Sequence, residues 1–394
     1  MDQQEIVIVA AKRTPLGSML GSLSTLSSPQ LGAAAHQAVL EQSGLSPVDI
    51  DEVISGCVLQ AGIGQAPARQ AAILAGIPYS TNATTINKMC GSGMKAVMLG
   101  YDLIQSGSAH IVLASGMESM SNAPYLLSKA RNGYRLGHQE VKDHIFLDGL
   151  EDAYECGKLM GVFADETATH FHFTRAQQDD YAAHSQRRAL QAQQDGAFVA
   201  EIVPITVKTT KQESLITQDE GPDPKKLEKI SHLRPVFKND GTVTAANSSA
   251  ISDGAASLIL MTAAAAKKRG LKPLARILAH ATHAQAPAWF TTAPVEAIRK
   301  VLNKAGWDKN EVDLFEINEA FAVVAMAAID QLQLDHSKVN IHGGACALGH
   351  PIGASGARII VTLIYALQRA QKKKGIASLC IGGGEATAIA IEVY

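Results

Sequence analysis

A chain of 394 residues is too long for one ordinary hydrophobic core and fits two or three domains. Hydrophobic residues make up 46% and charged residues 18%, with a net charge of −2, a globular profile that argues against a disordered chain or a polyanion-binding surface. No run reaches the roughly 18 apolar residues of a membrane span, and five cysteines without a Cys-x-x-Cys pair read as free thiols in a reducing compartment, most simply the cytoplasm.

The first predicted strand is Glu5–Ala11, with no basic or cleavable segment before it. A helix over Ser28–Gln42, a strand over Glu52–Cys57, a helix over Gly93–Ser106 and a strand over Ile111–Ala114 follow. From Ser119 to about Asn247 the sequence turns polar and is punctuated by Gly and Pro. It holds one clear helix, Gln177–Asp195, and a loop at Gln218–Pro224. A helix is expected around Ala255–Lys268. The chain then alternates again: helix Pro294–Ala305, strand Asp313–Ile317, helices Ala320–Leu332 and Gly356–Gln371, and strand Ala377–Ile381. This alternation predicts α/β layers.

The two ends repeat each other. Ser92-Gly93-Met94-Lys95 parallels Ser355-Gly356-Ala357-Arg358, each opening an apolar helix that leads to a short strand. Asp49–Ile54 echoes Asn310–Phe315, and Ser115–Glu118 is matched with Gly382–Glu385. The pattern reads as a duplication into two similar halves, each carrying a helix-mouth site, and such duplicated sites can face one cavity.

Cys90 stands before Gly91-Ser92-Gly93, at or just ahead of a helix N-terminus. Free N–H groups and the helix dipole there favour a thiolate, although free cysteines are also commonly packed in cores. An ordinary thiol is only a few per cent ionised at neutral pH, so Cys90 needs a base. His350, held between Gly349 and Pro351 in a second glycine-rich turn, is the best candidate among 13 histidines. Cys380 ends a strand before Gly382-Gly383-Gly384, and reads as a second reactive thiol or as strand-end packing. Asn318 and Glu319 end an apolar strand. No His/Cys/carboxylate cluster has metal-ligand spacing, so no metal is expected.

Taken together and in order, these four segments resemble the thiolase family, the acyl-CoA C-acyltransferases. Arg13-Thr14-Pro15 and Thr244–Ser249 extend the resemblance over essentially the whole chain. It implies a duplicated five-layered α-β-α-β-α fold with an inserted loop domain: residues 1–118 with 249–271, an insert over 119–248 that binds CoA, and 272–394. It also implies a ping-pong reaction through acyl-Cys90, condensing two acetyl-CoA to acetoacetyl-CoA and CoA, or the reverse thiolysis.

By the same resemblance Cys380 moves the Cα proton. The Cys90 and Gly382 N–H groups hold the tetrahedral oxyanion, and His350 with a water positioned by Asn318 holds the enolate oxygen. Glu319 is expected to brace the site. Cys57, Cys156 and Cys346 match no catalytic position. Ser249 aligns with a serine that contacts the pantetheine arm, with Ala250 where the family often has glycine. Lys225 and Lys226 stand where the nucleotide phosphates are expected, or form a solvated face. Leu159, before Met160-Gly161, replaces a histidine found in acetoacetyl-CoA-specific members, which leaves room for longer chains. Glu385 is a second difference of underived effect.

Acyl-CoA and CoA are substrates and no cofactor is implied. Nucleic acid and membrane are not expected partners, and a homodimer or homotetramer is, both by the resemblance and because the apolar strand Ile111–Ala114 would otherwise risk an exposed edge. A broader-chain 3-ketoacyl-CoA thiolase of fatty-acid degradation is the nearest alternative. A ketoacyl synthase-like enzyme would lack the second thiol, and a non-catalytic acyl-CoA-binding module would not need the complete set of four.

Overall fold

The computed structural model describes residues 4–208 and 213–394. Its main sheet contains β1 (Ile6–Arg13), β2 (Glu52–Gly56), β3 (Asn82–Ile86), β4 (Ile111–Ser119), β5 (Ser252–Thr262), β6 (Ala275–Ala284), β7 (Leu314–Ile317), β8 (Lys374–Ile381) and β9 (Glu385–Val393). Their order is β7-β8-β9-β6-β1-β5-β4-β2-β3, and the two-residue strand Gly17–Ser18 pairs with β5 as the tenth. The principal helices are α1 (Ser28–Ser43), α2 (Pro67–Leu74), α3 (Ser92–Gln105), α4 (Met160–His170), α5 (Arg175–Gln194), α6 (Ala293–Ala305), α7 (Ala322–Leu332) and α8 (Ile352–Arg369).

The pairing repeats from each edge inward. In the first half β3–β2 and β2–β4 are parallel, while β4–β5 and β5–β1 are antiparallel. In the second half a parallel bridge from Phe315 to Val339 precedes parallel β7–β8, then antiparallel β8–β9 and β9–β6. The halves join where Ile6–Ile8 pairs with Ala275–Ile277.

Helices α3 and α8 lie between the halves, and their apolar faces share one core with Ile6, Ile8, Leu258, Leu260, Leu379 and Ile391. On the far side of the first half α1 packs on Val7, Val9, Leu113 and Ile259, and on the far side of the second α6 and α7 pack on Phe315 and Ile376. The result is five layers, α-β-α-β-α. Successive β1 residues alternate between the central and the outer core, as the two-residue period of a strand requires. A bulge between Ile8 and Ala10 shifts that alternation.

Three expectations change. The helix expected around Ala255–Lys268 is mostly strand: β5 runs to Thr262, and only Ala263–Lys268 is helical. Both faces of β5 are buried, so its alternation is apolar against apolar and looks like an undifferentiated run. Ile111–Ala114 is not an edge, because β4 is flanked by β2 and β5; the outer strand of that half is β3. Ser115–Glu118 is not the counterpart of Gly382–Glu385, since the first lies inside β4 and the second spans the turn from β8 to β9.

Among the described residues, the stretch between β4 and β5 gives no strand to the main sheet. It does carry α4 and α5, the latter started by a capping box of Thr174 with Gln177. A buried ionic cluster ties it to the core. Arg13 donates to Glu201 at 2.5 Å and to both oxygens of Asp219 at 2.6 and 2.9 Å. Thr362 of α8 donates to Glu201 at 3.2 Å. No helix among the described residues is long and apolar enough to cross a membrane, and none of them form a group of three or more candidate metal ligands.

Arg13 is fully buried with its two carboxylates. Replacing it with methionine leaves both without their cation, and removing one partner of a buried pair costs about 3–5 kcal/mol. Chemical denaturation of Arg13→Met is expected to show that loss; an unchanged midpoint contradicts it.

Candidate active site

Cys90 sits in a tight elbow between β3 and α3. Met89 has φ +46°, a left-handed conformation uncommon for a side-chain-bearing residue, which throws the next residue outward. The Gly91 and Ser92 N–H groups donate back to the Lys88 and Met89 carbonyls, and the Ser92 hydroxyl donates to the Met89 carbonyl at 2.7 Å while accepting from the Lys88 N–H at 2.8 Å. The thiol is held by its own helix.

His350 is held the same way by α8. Its backbone N–H donates to the Ala250 carbonyl at 3.0 Å. Gly349, at φ +104°, precedes it where an added Cβ would collide with Ser252 Oγ, so only glycine fits. The Ser355 hydroxyl donates to the Pro351 carbonyl at 3.0 Å, which makes its oxygen the acceptor for His350 Nδ1–H at 2.5 Å. That fixes the tautomer and leaves Nε2 with its lone pair. Nε2 is buried and has no protein partner.

The two helices meet at their mouths. A Cβ on Gly93 would come within 2.7 Å of the Ala357 nitrogen, and one on Gly356 would collide with the Met94 nitrogen. The Ser-Gly pair repeated in both halves therefore has a cause. Each serine braces the turn before its helix, and each glycine lets the opposing backbone approach.

Cys380 closes β8, and the turn after it brings the Gly382 N–H to the Cys90 sulfur. Gly383 and Gly384 form that turn at φ +91° and +87°. Asn318 is buried. Its Nδ2 lies 3.5 Å from His350 Nδ1, and its Oδ1 has no protein partner. The neighbouring Glu319 accepts from Tyr181 (3.0 Å), Ser185 (2.7 Å), Asn340 (2.8 Å) and the Cys346 N–H (3.1 Å). It locks the Asn318 turn to α5 of the insert.

A cavity of about 760 Å³ opens on His350. His350, Leu159, Met160, Ser248, Ser249, Ala320, Phe321 and Ile352 line it. Cys90 packs beside Ile352 and Met120, and Cys380 beside Phe321 and Met160. Met160 Sδ lies 3.7 Å from where a Gly382 Cβ would stand. Lys225 and Lys226 are not on its wall. Both are exposed on the short helix Pro224–Leu227, where Lys226 Nζ donates to the Gly221 carbonyl at 2.6 Å.

Burial sets the charges. It pushes the Cys90 thiol up to about 11, overriding the Gly382 and Cys90 N–H groups that favour the thiolate. That opposes the thiolate expected at the helix mouth and favours the thiol at rest. Burial, with Cys90 nearby, also holds Cys380 well above the usual thiol range. His350 is driven down to about 3, first by burial and then by the Arg358 cation, so it is neutral.

Several contributors gave no readable signal. Glu118, deep beneath the elbow, accepts from the Val58, Leu59 and Gly353 N–H groups at 3.0, 3.1 and 2.9 Å, and burial raises it to about 7. It fastens the turn after β2 to the start of α8. Phe146, Leu150 and Phe237 reach the cavity from the insert. Cys57 is buried against Glu118, Cys346 lies on Glu319, and Cys156 is exposed.

The chain matches the models of the thiolase N-terminal domain over residues 6–264 and the thiolase C-terminal domain over residues 271–393. It is 49% identical over 391 residues to a probable acetyl-CoA acetyltransferase of Dictyostelium discoideum, covering 99% of this chain and 94% of that one. It is 48% identical to an acetyl-CoA acetyltransferase of Pseudomonas aeruginosa, covering 98% of this chain and 99% of that one. The crystal structure of the Bacillus anthracis acetyl-CoA acetyltransferase superposes with a TM-score of 0.97 at 41% identity, covering 100% of this chain and 99% of that one. That of the Ascaris suum Acat5 thiolase in complex with coenzyme A gives 0.94 at 42%, covering 99% and 100%. Two matching domain models, full-length relatives and a shared architecture place this chain in the thiolase family.

Proposed function

We propose that this protein is an acetyl-CoA C-acetyltransferase, condensing two acetyl-CoA to acetoacetyl-CoA and CoA, or catalysing the reverse thiolysis. The observation that carries this reading is a neutral histidine with a free Nε2 on the wall of the cavity, together with a backbone N–H aimed at the Cys90 thiol and a second thiol, Cys380, near the first. The names of the full-length relatives support it.

The resting charges dictate the order of events. Neither thiolate nor imidazolium is stable beforehand, so the Cys90 proton moves to His350 Nε2 as sulfur attacks the thioester carbon. The Cys90 and Gly382 N–H groups hold the oxyanion. As the C–S bond to CoA breaks, the leaving sulfur takes a proton from Cys380. CoA departs, leaving a Cys380 thiolate beside acyl-Cys90. A second acetyl-CoA gives its Cα proton to that thiolate. The His350 imidazolium and a water on Asn318 Oδ1 hold the enolate oxygen. The enolate carbon attacks the acyl group, and Cys90 leaves and recovers its proton from His350. CoA and acyl-CoA are substrates throughout.

Residues 119–248 supply the CoA-facing wall with Ser249, between the halves 1–118 with 249–271 and 272–394. Lys225 and Lys226, exposed outside that cavity, are the candidates for the nucleotide phosphates. A homodimer or homotetramer is the proposed assembly. Strand β3 forms an outer edge of the sheet, and Tyr125, Leu127, Leu136 and Val141 expose apolar surface on the insert. Five unpaired cysteines suit the cytoplasm.

Incubation with labelled acetyl-CoA and peptide mapping is expected to place acetyl on Cys90. Acetyl on another cysteine, with Cys90→Ala still active, defeats the assignment. Cys380→Ser should still acylate but exchange the Cα proton of acetyl-CoA about a hundredfold more slowly, the lower end for a lost acid–base group. Undiminished exchange argues against Cys380.

Leu159 favours somewhat longer 3-ketoacyl chains. A neutral hydrogen bond contributes about 0.5–1.5 kcal/mol, and a methylene on an apolar wall about 0.8 kcal/mol. Leu159 lacks the first and offers the second. The wild type is therefore expected to cleave acetoacetyl-CoA and, measurably, longer 3-ketoacyl-CoAs. Leu159→His should shift the kcat/KM ratio toward acetoacetyl-CoA by up to about tenfold. A wild type that rejects every chain beyond four carbons contradicts this role.

A further inference from the structure

The turn that supplies the Gly382 N–H has little to hold it. Three glycines offer no side chain for anchorage, and Gly383 and Gly384 both have positive φ. On one flank the Gly384 carbonyl accepts from the Gln285 N–H at 2.8 Å. On the other flank the contacts go to the Cys90 elbow itself. Lys88 Nζ meets Glu385 Oε2 at 2.6 Å, joining residues 297 apart in sequence. Ile381 lies on Gly91, where an added Cβ would collide with Ile381 Cδ1.

The geometry is reciprocal. Lys88 and Gly91 flank Cys90, while Ile381 and Glu385 flank Gly382. Ile381 and Glu385 are directly paired across the β8–β9 hairpin, so their side chains leave the sheet on the same face. Lys88 is also a fixed part of the elbow, its carbonyl accepting the Gly91 N–H and its N–H donating to Ser92. A shift of Glu385 relative to Lys88 is therefore a shift of Gly382 relative to Cys90.

We propose that Lys88 and Glu385 are positioning residues for acyl transfer, a latch that sets the Gly382 N–H against Cys90. This rests on the reading of Cys90 as nucleophile and Gly382 as oxyanion donor. Lys88 and Glu385 retain side-chain exposures of 22% and 35%, so the pair adds little to stability and acts through geometry. An oxyanion donor is sensitive to small displacements, whereas global unfolding is not.

The rival explanation is a simple field effect on anionic CoA. Under it, loss of Lys88 weakens substrate binding and loss of Glu385 strengthens it. A latch instead makes both losses harmful to the chemical step and not additive.

The test is the first-turnover release of CoA from acetyl-CoA, with KM and melting temperature, for Lys88→Met, Glu385→Met, the double variant and the exchanged pair Lys88→Glu with Glu385→Lys. Each single variant is expected to acylate about tenfold more slowly, a typical cost for a slightly misplaced donor, with KM and melting temperature near wild type. The double variant should be no slower than the singles, and the exchanged pair should recover much of the rate. Single variants that acylate at the wild-type rate, opposite effects of the two losses, additive losses, or an exchanged pair no better than the singles overturn the latch. A wild type that places no acetyl on Cys90 overturns the underlying reading instead.

Discussion

Two helix N-termini meet where neither carries a side chain, and the site depends on that approach. Gly93 and Gly356 let the mouths of α3 and α8 come together. Each helix uses a first-turn serine to hold the loop before it, one presenting a thiol and the other an imidazole. The two halves, joined through three residues of β1, surround this contact and bury it. On the proposed reading, function arises from a duplicated element whose copies differ in what they present while keeping the brace and the close approach.

Burial in that central layer has a chemical consequence. The environment that fixes the geometry also disfavours charge, holding both thiols protonated and His350 neutral. On the proposed reading, reactivity rests on unmet hydrogen-bonding capacity rather than on a standing thiolate. His350 Nε2 and Asn318 Oδ1 are buried polar atoms without protein partners, which native structures seldom leave without reason. Such atoms gain most when a substrate develops charge beside them. The deeper carboxylates serve the scaffold instead. Glu319 is fully engaged by four donors, and Glu118 spans three backbone N–H groups.

Much of this was legible in the chain. The glycine-rich turns around Cys90, His350 and Cys380 announce backbone approach, and the repeated Ser-Gly pair announces the duplication. Other features are not local properties. Strand β5 hides its alternation because both faces are buried. The partners of Arg13 lie 188 and 206 residues away, and that of Glu385 lies 297 away. The ionisation of Cys90 is hidden for a related reason: a helix mouth is visible in sequence, but the burial that opposes its effect is not.

The proposed chemistry requires Cys90 to rest as a thiol and to lose its proton only as it attacks. The direct measurement is the pH dependence of Cys90 alkylation by iodoacetamide in free enzyme, followed by mass spectrometry of the Cys90 peptide. A thiol at rest gives a rate that keeps climbing through the alkaline range toward an ionisation at about 11. A rate already at its plateau by neutral pH would mean a standing thiolate, and would contradict that chemistry.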